Sequence, residues 1–290
     1  MRSLSCLAAL ALCGTAPALA QTAPAPVAAY TLPGAETFDL TARDGGQAYR
    51  IFVSKPTQPA PAGGYPVLYV LDANAFFPGF AGERRIEEFA REAGGGVIVI
   101  GVGYPHDQVY DIPARTNDLT LPWIAKWPAG QPVVKTGGNK VFARFLLDQL
   151  RPEIARRYPV DAKHQSLFGH SLGGLFALHM LYTRPGAFEA IIAASPSIWW
   201  SDKAILAEEK AFTERLSSGK QSGPISRLML FAGSKDAMTI PADTEALNAR
   251  LAPLAAHGLQ ARFEQLEGET HITVPYRAIT PTFRFVTAKP

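Results

Sequence analysis

Gly169-His170-Ser171-Leu172-Gly173-Gly174 is the hexapeptide that most clearly indicates how this chain folds. A short apolar run (residues 166–168) precedes it and an apolar stretch (residues 172–181) follows, so the pattern predicts a turn from a strand into a helix. In a Gly-x-Ser-x-Gly turn of this kind the serine is presented at the tip. Glycines two residues to either side keep Cβ atoms away from the neighbouring backbone. The context predicts that Ser171 is a nucleophile, with Gly169 and Gly173 as the two spacing glycines.

Strand-like and helix-like segments alternate on both sides of this turn. Two alternating stretches, 36–42 and 48–54, flank Asp44-Gly45-Gly46 and predict an antiparallel hairpin at a sheet edge. Continuous apolar runs predict buried strands at 67–71 and 97–102, and further strands are predicted at 188–194, 228–232 and 261–266. Helices are predicted at 83–92, 139–158 (kinked at Pro152), 203–216, 244–256 and the C-terminal end. The alternation predicts an α/β fold of one domain, residues 35–290, with a mostly parallel, doubly wound sheet and helices on both faces.

The first residues have the pattern of an export signal. Arg2, an apolar core and the small-residue sequence Ala18-Leu19-Ala20 predict a cleavable signal peptide at 1–20, followed by a flexible leader at 21–34. Cleavage would leave 270 of the 290 residues and no cysteine, because the only two, Cys6 and Cys13, lie in this segment. The pattern predicts a periplasmic or secreted protein without a membrane anchor. The formal net charge of +3 and the lack of a basic run make nucleic acid an unexpected partner.

A serine hydroxyl needs a base to take its proton and a third group to orient that base. His271 is the predicted base, because it directly follows the last predicted strand, where the chain order serine, acid, histidine places it. His170 lies inside the turn and is predicted to point away. For the acid, Asp236 follows the strand before the last one. Asp202 and a dyad without any acid remain as alternatives.

Donors for an oxyanion are expected at two places in such a fold. One is the backbone N–H of Leu172, after the nucleophile, and the other is that of Ala73 or Asn74, after the strand at 67–71. No histidine or cysteine cluster has metal-ligand spacing and no glycine-rich phosphate loop is present, so catalysis without metal or cofactor is predicted.

Several segments together resemble the esterase-D-like putative esterases of the α/β-hydrolase fold. They read YPVLYVLD (65–72), GVGYP (101–105), RTND (115–118), GHSLGGLFA (169–177) and SPSIWW (195–200). Within that group the chain is most similar to the periplasmic siderophore esterases that open the trilactone of enterobactin and salmochelin. The resemblance implies that Ser171 is the nucleophile and His271 the general base. Some of those enzymes resemble a Ser–His dyad, which leaves the role of Asp236 open.

The resemblance implies an exported serine esterase that acts through an acyl-enzyme, with an apo or ferric catecholate siderophore as a small-molecule substrate. A general short-chain carboxylesterase or thioesterase is the alternative, and a non-catalytic binding protein of the same fold is a third. Arg115 is the predicted contact for an anionic substrate, and Trp199 and Trp200 are predicted to stack on aromatic rings. The Pro-, Gly- and Trp-rich loop at 121–138 is long enough to be a lid over the site.

Overall fold

Eight strands form a single sheet in the computed structural model, which describes residues 27–90, 96–124, 126–127, 129–130 and 133–288. The sheet lies within a compact unit, Pro33–Pro290. Of the preceding unit, Met1–Leu32, residues 27–32 are described and form neither helix nor strand. The predicted signal peptide and the first part of the predicted leader lie outside the described residues.

The strands run in the order β1-β2-β4-β3-β5-β6-β7-β8. Their bounds are Ala35–Thr41, Ala48–Ser54, Tyr65–Leu71, Ile98–Gly103, Val160–His170, Ala190–Ala194, Arg227–Lys235 and Ala261–Thr270 for β1 to β8. The hairpin β1–β2 is antiparallel and β2 is antiparallel to β4, whereas all the pairs from β4 to β8 are parallel. Every residue of β4 and β6 is buried, so both faces of the sheet centre are covered. The predicted mostly parallel α/β fold is confirmed.

Ten α-helices occur within the described residues. Helices α1 to α10 span Ala73–Ala90, Ile112–Leu119, Asn139–Arg144, Arg151–Arg157, Leu172–Thr183, Trp200–Lys203, Ile205–Ser217, Ile240–Leu251, Val274–Arg277 and Ile279–Thr287. No helix in the described part of the chain is long and apolar enough to cross a bilayer.

The first helix begins ten residues earlier than its sequence predicts. The second half of α1 mixes charged and apolar residues at helical spacing, and this pattern predicts a helix. The first half is mostly apolar and buries Phe76, Phe77 and Phe80, so its sequence shows no such pattern. This early start matters for the site, because it places Ala73, two residues after the end of β3, at the N-terminus of a helix.

The predicted kink at Pro152 takes the form of a π-helical segment. Residues Phe145–Leu150 between α3 and α4 are π-helical, and the backbone N–H of Arg151 reaches back to the carbonyl of Leu146. Pro152 has no N–H to donate and its ring crowds the preceding turn, so a wider turn just before it relieves the clash. The prediction of one interrupted helix over this region is confirmed.

Candidate active site

The parallel strands end at one edge of the sheet, and the candidate site residues follow them there. Ser171 comes directly after β5 and His271 directly after β8, while Asp236 follows β7. Since the carboxyl ends of parallel strands meet at the same edge, residues up to 100 positions apart are brought together.

The backbone at Ser171 is strained. Its φ of 58° and ψ of −117° lie outside the regions that side-chain-bearing residues normally adopt. The conformation is held on two sides, since Ser171 N donates to the Ala194 carbonyl at 3.0 Å and Leu175 N donates to the Ser171 carbonyl at 2.9 Å. Ser171 is therefore fixed between β6 and the first turn of α5.

The two spacing glycines of the turn are not equivalent. A Cβ on Gly169 would lie 2.0 Å from the carbonyl oxygen of Gly173, which no side chain can tolerate. A Cβ on Gly173 would meet its nearest neighbour, Asp72 Oδ2, at an ordinary 3.4 Å. The prediction that both glycines are needed to avoid a backbone clash holds for Gly169 and is wrong for Gly173.

Ser171, His271 and Asp236 form a continuous hydrogen-bonded chain. His271 Nε2 lies 3.0 Å from Ser171 Oγ, and His271 Nδ1 lies 2.7 Å from Asp236 Oδ1. The His271 side chain is 23% exposed and that of Asp236 is fully buried, so the candidate base is open to a substrate and the candidate acid is not. The geometry is that of a Ser-His-Asp triad.

Asp236 is held as a carboxylate by several donors. Ser195 donates its hydroxyl to Oδ2 at 2.5 Å, and Ala237 donates its backbone N–H to Oδ1 at 2.7 Å. Burial raises the pKa of Asp236, but hydrogen bonds from His271, Ser195 and Ala237 outweigh it and bring the pKa below its ordinary value. Asp202, the alternative acid, is exposed on α6. Position thus favours a triad through Asp236, whose role in catalysis stays a prediction.

The sequence predicts that His170 points away from the site, and this prediction is wrong. The residue is 3% exposed, and its ring packs on the ring of His271 with 4.6 Å between centroids. Burial, and then the neighbouring His271, lower the pKa of His170 to about 3, so this imidazole is neutral at ordinary pH. Phe76 also packs edge-on against the His170 ring, with 5.6 Å between centroids. His170 therefore supports the ring of the candidate base without adding charge.

The candidate oxyanion donors lie at two helix N-termini. Leu172 is the first residue of α5, and Ala73 and Asn74 are the first two of α1, so none of these N–H groups has an acceptor within its own helix. The side chain of Asn74 is engaged elsewhere, donating to the carbonyls of Tyr104 and His106, which leaves only its backbone N–H for this role. Both helix dipoles favour negative charge at this point.

Asp72 shapes the loop that carries the second donor. It adopts a φ of 53°, and the guanidinium of Arg115 grips its carboxylate with Nε and Nη2, each at 2.8 Å. Both side chains are at least nine-tenths buried. Sequence reasoning predicts Arg115 as a substrate contact. The structure shows two of its donors bound to Asp72, and a substrate contact through the remaining Nη1 stays a prediction.

The two tryptophans predicted to contact substrate differ in exposure. Trp200 is 6% exposed, donates its indole N–H to the Leu121 carbonyl at 3.0 Å and packs edge-on against Trp123. It is a core residue whose ring is not open to a substrate, which contradicts the predicted stacking. Trp199 is partly exposed and keeps that role as a prediction.

Described residues of the predicted lid are tied to the body of the fold. Ile124 N donates to Ser201 Oγ at 2.7 Å, and Trp123 N donates to Thr136 Oγ1 at 3.0 Å across the loop. Four residues of the loop (125, 128, 131 and 132) lie outside the described part. Closure of the loop over the site stays a prediction.

A serine on a strained strand-to-helix turn, contacted by a histidine that a buried carboxylate orients, defines a serine hydrolase of the α/β-hydrolase class. Comparison with known proteins narrows this class. A family model described as "Putative esterase" matches residues 44–272. The chain belongs to this esterase family and is a carboxylic ester hydrolase, as the sequence resemblance implies.

Several relatives share most of the chain. The Ferri-bacillibactin esterase BesA of Bacillus subtilis is 37% identical over 89% of this chain and 91% of its own length. The Siderophore triacetylfusarinine C esterase of Aspergillus fumigatus is 39% identical over 70% of this chain and 68% of its own. Among solved structures, the BES protein from Bacillus cereus is 34% identical, with a TM-score of 0.83 over 91% of this chain and all of that one.

Sequence reasoning missed four residues at the site. His170, Ser195 and Ser197 contact the triad, and Asp72 holds the oxyanion loop. Their chain positions carried one usable signal, since Asp72 and Ser195 directly follow strands β3 and β6, which end at the catalytic edge. Their hydrogen-bond partners lie on other elements of the fold and are not visible in one sequence.

Proposed function

We propose that this enzyme hydrolyses the ester bonds of a siderophore. The observation that supports this most is the 37% identity, over about nine-tenths of both chains, to a relative named as a ferri-bacillibactin esterase. Relatives named for triacetylfusarinine C and for enterobactin support the same class of substrate. Because these names cover different siderophores, the class is supported more strongly than any one ester, and the trilactone of a catecholate siderophore is our first candidate.

In the proposed mechanism Ser171 is the nucleophile. His271 Nε2 removes the hydroxyl proton as Ser171 Oγ attacks the ester carbonyl, and the developing oxyanion lies between the N–H groups of Leu172 and of Ala73 or Asn74. His271 then gives its proton to the departing alcohol, leaving an acyl-enzyme. Water, deprotonated by His271, attacks the acyl carbon in turn. The bond from that carbon to Ser171 Oγ breaks, Oγ recovers a proton from His271, and the acid is released. Asp236 keeps His271 oriented throughout.

The test compares ester classes on purified protein. Apo and ferric catecholate trilactone, short p-nitrophenyl esters and acyl thioesters are each incubated with the wild type and with Ser171→Ala, and products are identified by mass. We expect the wild type to open the lactone with a higher kcat/KM than it shows for the simple esters. Ser171→Ala should not open the lactone. Turnover of simple esters or thioesters alone would refute the siderophore proposal while leaving the esterase intact.

The proposed substrate calls for an exported enzyme, and iron acquisition is the process it would serve. Export rests on the signal-peptide pattern at residues 1–20 and on the small-residue site before Gln21. When the full chain is expressed with a secretion system, we expect the periplasmic or extracellular product to begin at Gln21 by intact mass. A product that retains Met1–Ala20 in the cytoplasm would contradict this localisation.

A further inference from the structure

A three-residue turn, Ser195-Pro196-Ser197, follows strand β6 and contacts both ends of the triad. Ser195 donates to the acid, Asp236. Ser197 Oγ lies 3.3 Å from Ser171 Oγ, the nucleophilic atom itself, and Ser197 is 1% exposed. The proposed mechanism assigns no role to this second hydroxyl.

The direction of the Ser171–Ser197 hydrogen bond follows from proton counting. The ionised carboxylate of Asp236 only accepts, so His271 Nδ1 carries a proton toward it and the Nε2 of the neutral ring is an acceptor. Ser171 must therefore donate its one proton to Nε2. In the remaining contact Ser171 Oγ can only accept, so Ser197 is the donor.

The backbone holds Ser197 in this position. Ser197 N donates to the carbonyl of Ser171 at 3.1 Å, which fixes the two residues to each other independently of their side chains. Gly174, the last residue of the hexapeptide, makes the approach possible, since a Cβ there would lie 2.9 Å from Pro196 Cα and 3.0 Å from the Ala194 carbonyl oxygen. The second glycine of the Gly-Gly pair thus admits the turn that carries Ser197.

We propose that Ser197 is a further catalytic residue, whose hydroxyl donates a hydrogen bond to Ser171 Oγ in the steps that form and break its bond to the acyl carbon. The proposal rests on the proposed role of Ser171 as nucleophile. In acylation the Ser171 proton passes to His271 while Oγ, carrying the freed electron pair, bonds to the carbonyl carbon. In deacylation that bond breaks and Oγ recovers a proton from His271. Ser197 keeps its own proton in both steps and stabilises the partial charge on Oγ.

The test measures bond formation to Ser171 Oγ directly. Rates of covalent labelling by a fluorophosphonate, and kcat/KM for p-nitrophenyl acetate, are compared for wild type, Ser197→Ala and Ser197→Thr. A hydrogen bond to the partly charged Oγ stabilises more than one between neutral groups, but its length of 3.3 Å limits the effect. We therefore expect both rates to fall by about tenfold in Ser197→Ala. Ser197→Thr keeps the hydroxyl and should recover most of the loss.

Ser226→Ala is the matched control. Ser226 is equally buried, but its hydroxyl donates to the Phe188 carbonyl, away from the triad, and we expect its labelling rate to equal that of the wild type. Labelling of Ser197→Ala at the wild-type rate, or a threonine variant no faster than the alanine one, would overturn the proposal. If the wild type is not labelled at Ser171, the nucleophile assignment fails instead, which separates the two failures. If Ser197→Ala does not fold by circular dichroism, Ser197→Cys, whose thiol is only a weak hydrogen-bond donor, takes its place and is expected to show a similar loss.

Discussion

At the scale of single residues, the site depends on groups that fix the protonation and direction of three side chains. Asp236 accepts from His271, Ser195 and the backbone of Ala237, so its charge is stabilised by several hydrogen-bond donors. The two adjacent imidazoles do not repel each other as charges, because His170, packed against His271, stays neutral. His271, the candidate base, is thereby oriented by a carboxylate and packed against an uncharged ring.

Replacing the acid tests the triad against its alternatives. We expect Asp236→Asn to lower kcat by about a hundredfold to ten-thousandfold with little change in KM, because the amide cannot hold His271 in the required tautomer. Asp202→Asn, at the exposed alternative position, is the matched control and should stay within about twofold of wild type. Steady-state kinetics on one activated ester measures both. An Asp236→Asn variant with nearly full activity would favour a Ser–His dyad.

At the scale of elements, the site is assembled where strands end and helices begin. Strand β3 leads into α1 and strand β5 into α5, and each helix begins with N–H groups that have no acceptor of their own. Tight backbone turns at Asp72 and Ser171, both with positive φ, connect these elements. The Arg115–Asp72 pair and the close packing at Gly169 hold the two turns in place.

The glycines of the turn after β5 give a test at this scale. We expect Gly169→Ala to lower the Tm by roughly 10 °C, because its Cβ would collide with the Gly173 carbonyl oxygen and force the start of α5 to move. Gly173→Ala should keep the Tm within about 2 °C of wild type, since its Cβ meets only ordinary contacts and alanine favours a helix. Thermal unfolding followed by circular dichroism checks both. Equal destabilisation by the two variants would contradict the structural distinction between them.

At the scale of the whole molecule, a sheet covered on both faces provides the rigid base for the site. Its interior also contains an ionisable group, His170, whose burial lowers its pKa to about 3. In the unfolded chain a histidine has a pKa of about 6.5. Between these pH values the unfolded state binds a proton that the folded state does not. The free energy of unfolding is therefore unaffected by His170 above about pH 6.5 and decreases as the pH falls toward about 3.

The contribution of His170 to stability is measurable as the slope of the free energy of unfolding against pH. We expect the free energy of unfolding to fall by up to about 1.4 kcal/mol per pH unit below about pH 6.5 from this one group. His170→Gln, which does not titrate, should show a shallower pH dependence in urea unfolding between about pH 7 and about pH 4. His257→Gln changes an exposed histidine and should keep the wild-type slope. Identical slopes for the wild type and His170→Gln would show that His170 is not buried as a neutral ring.

Local patterns in the sequence were sufficient to predict the sheet, the strand-to-helix turn and the candidates Ser171, His271 and Asp236. These patterns are continuous apolar runs, glycine spacing and the position of a polar residue directly after a strand. Four further features emerge only from the folded chain: which acid meets His271, the burial of Trp200, the packing of His170 against His271, and the contact of Ser197 with Ser171. Each of these depends on contacts between separate strands and helices, and such distances are set by packing, which no local pattern encodes.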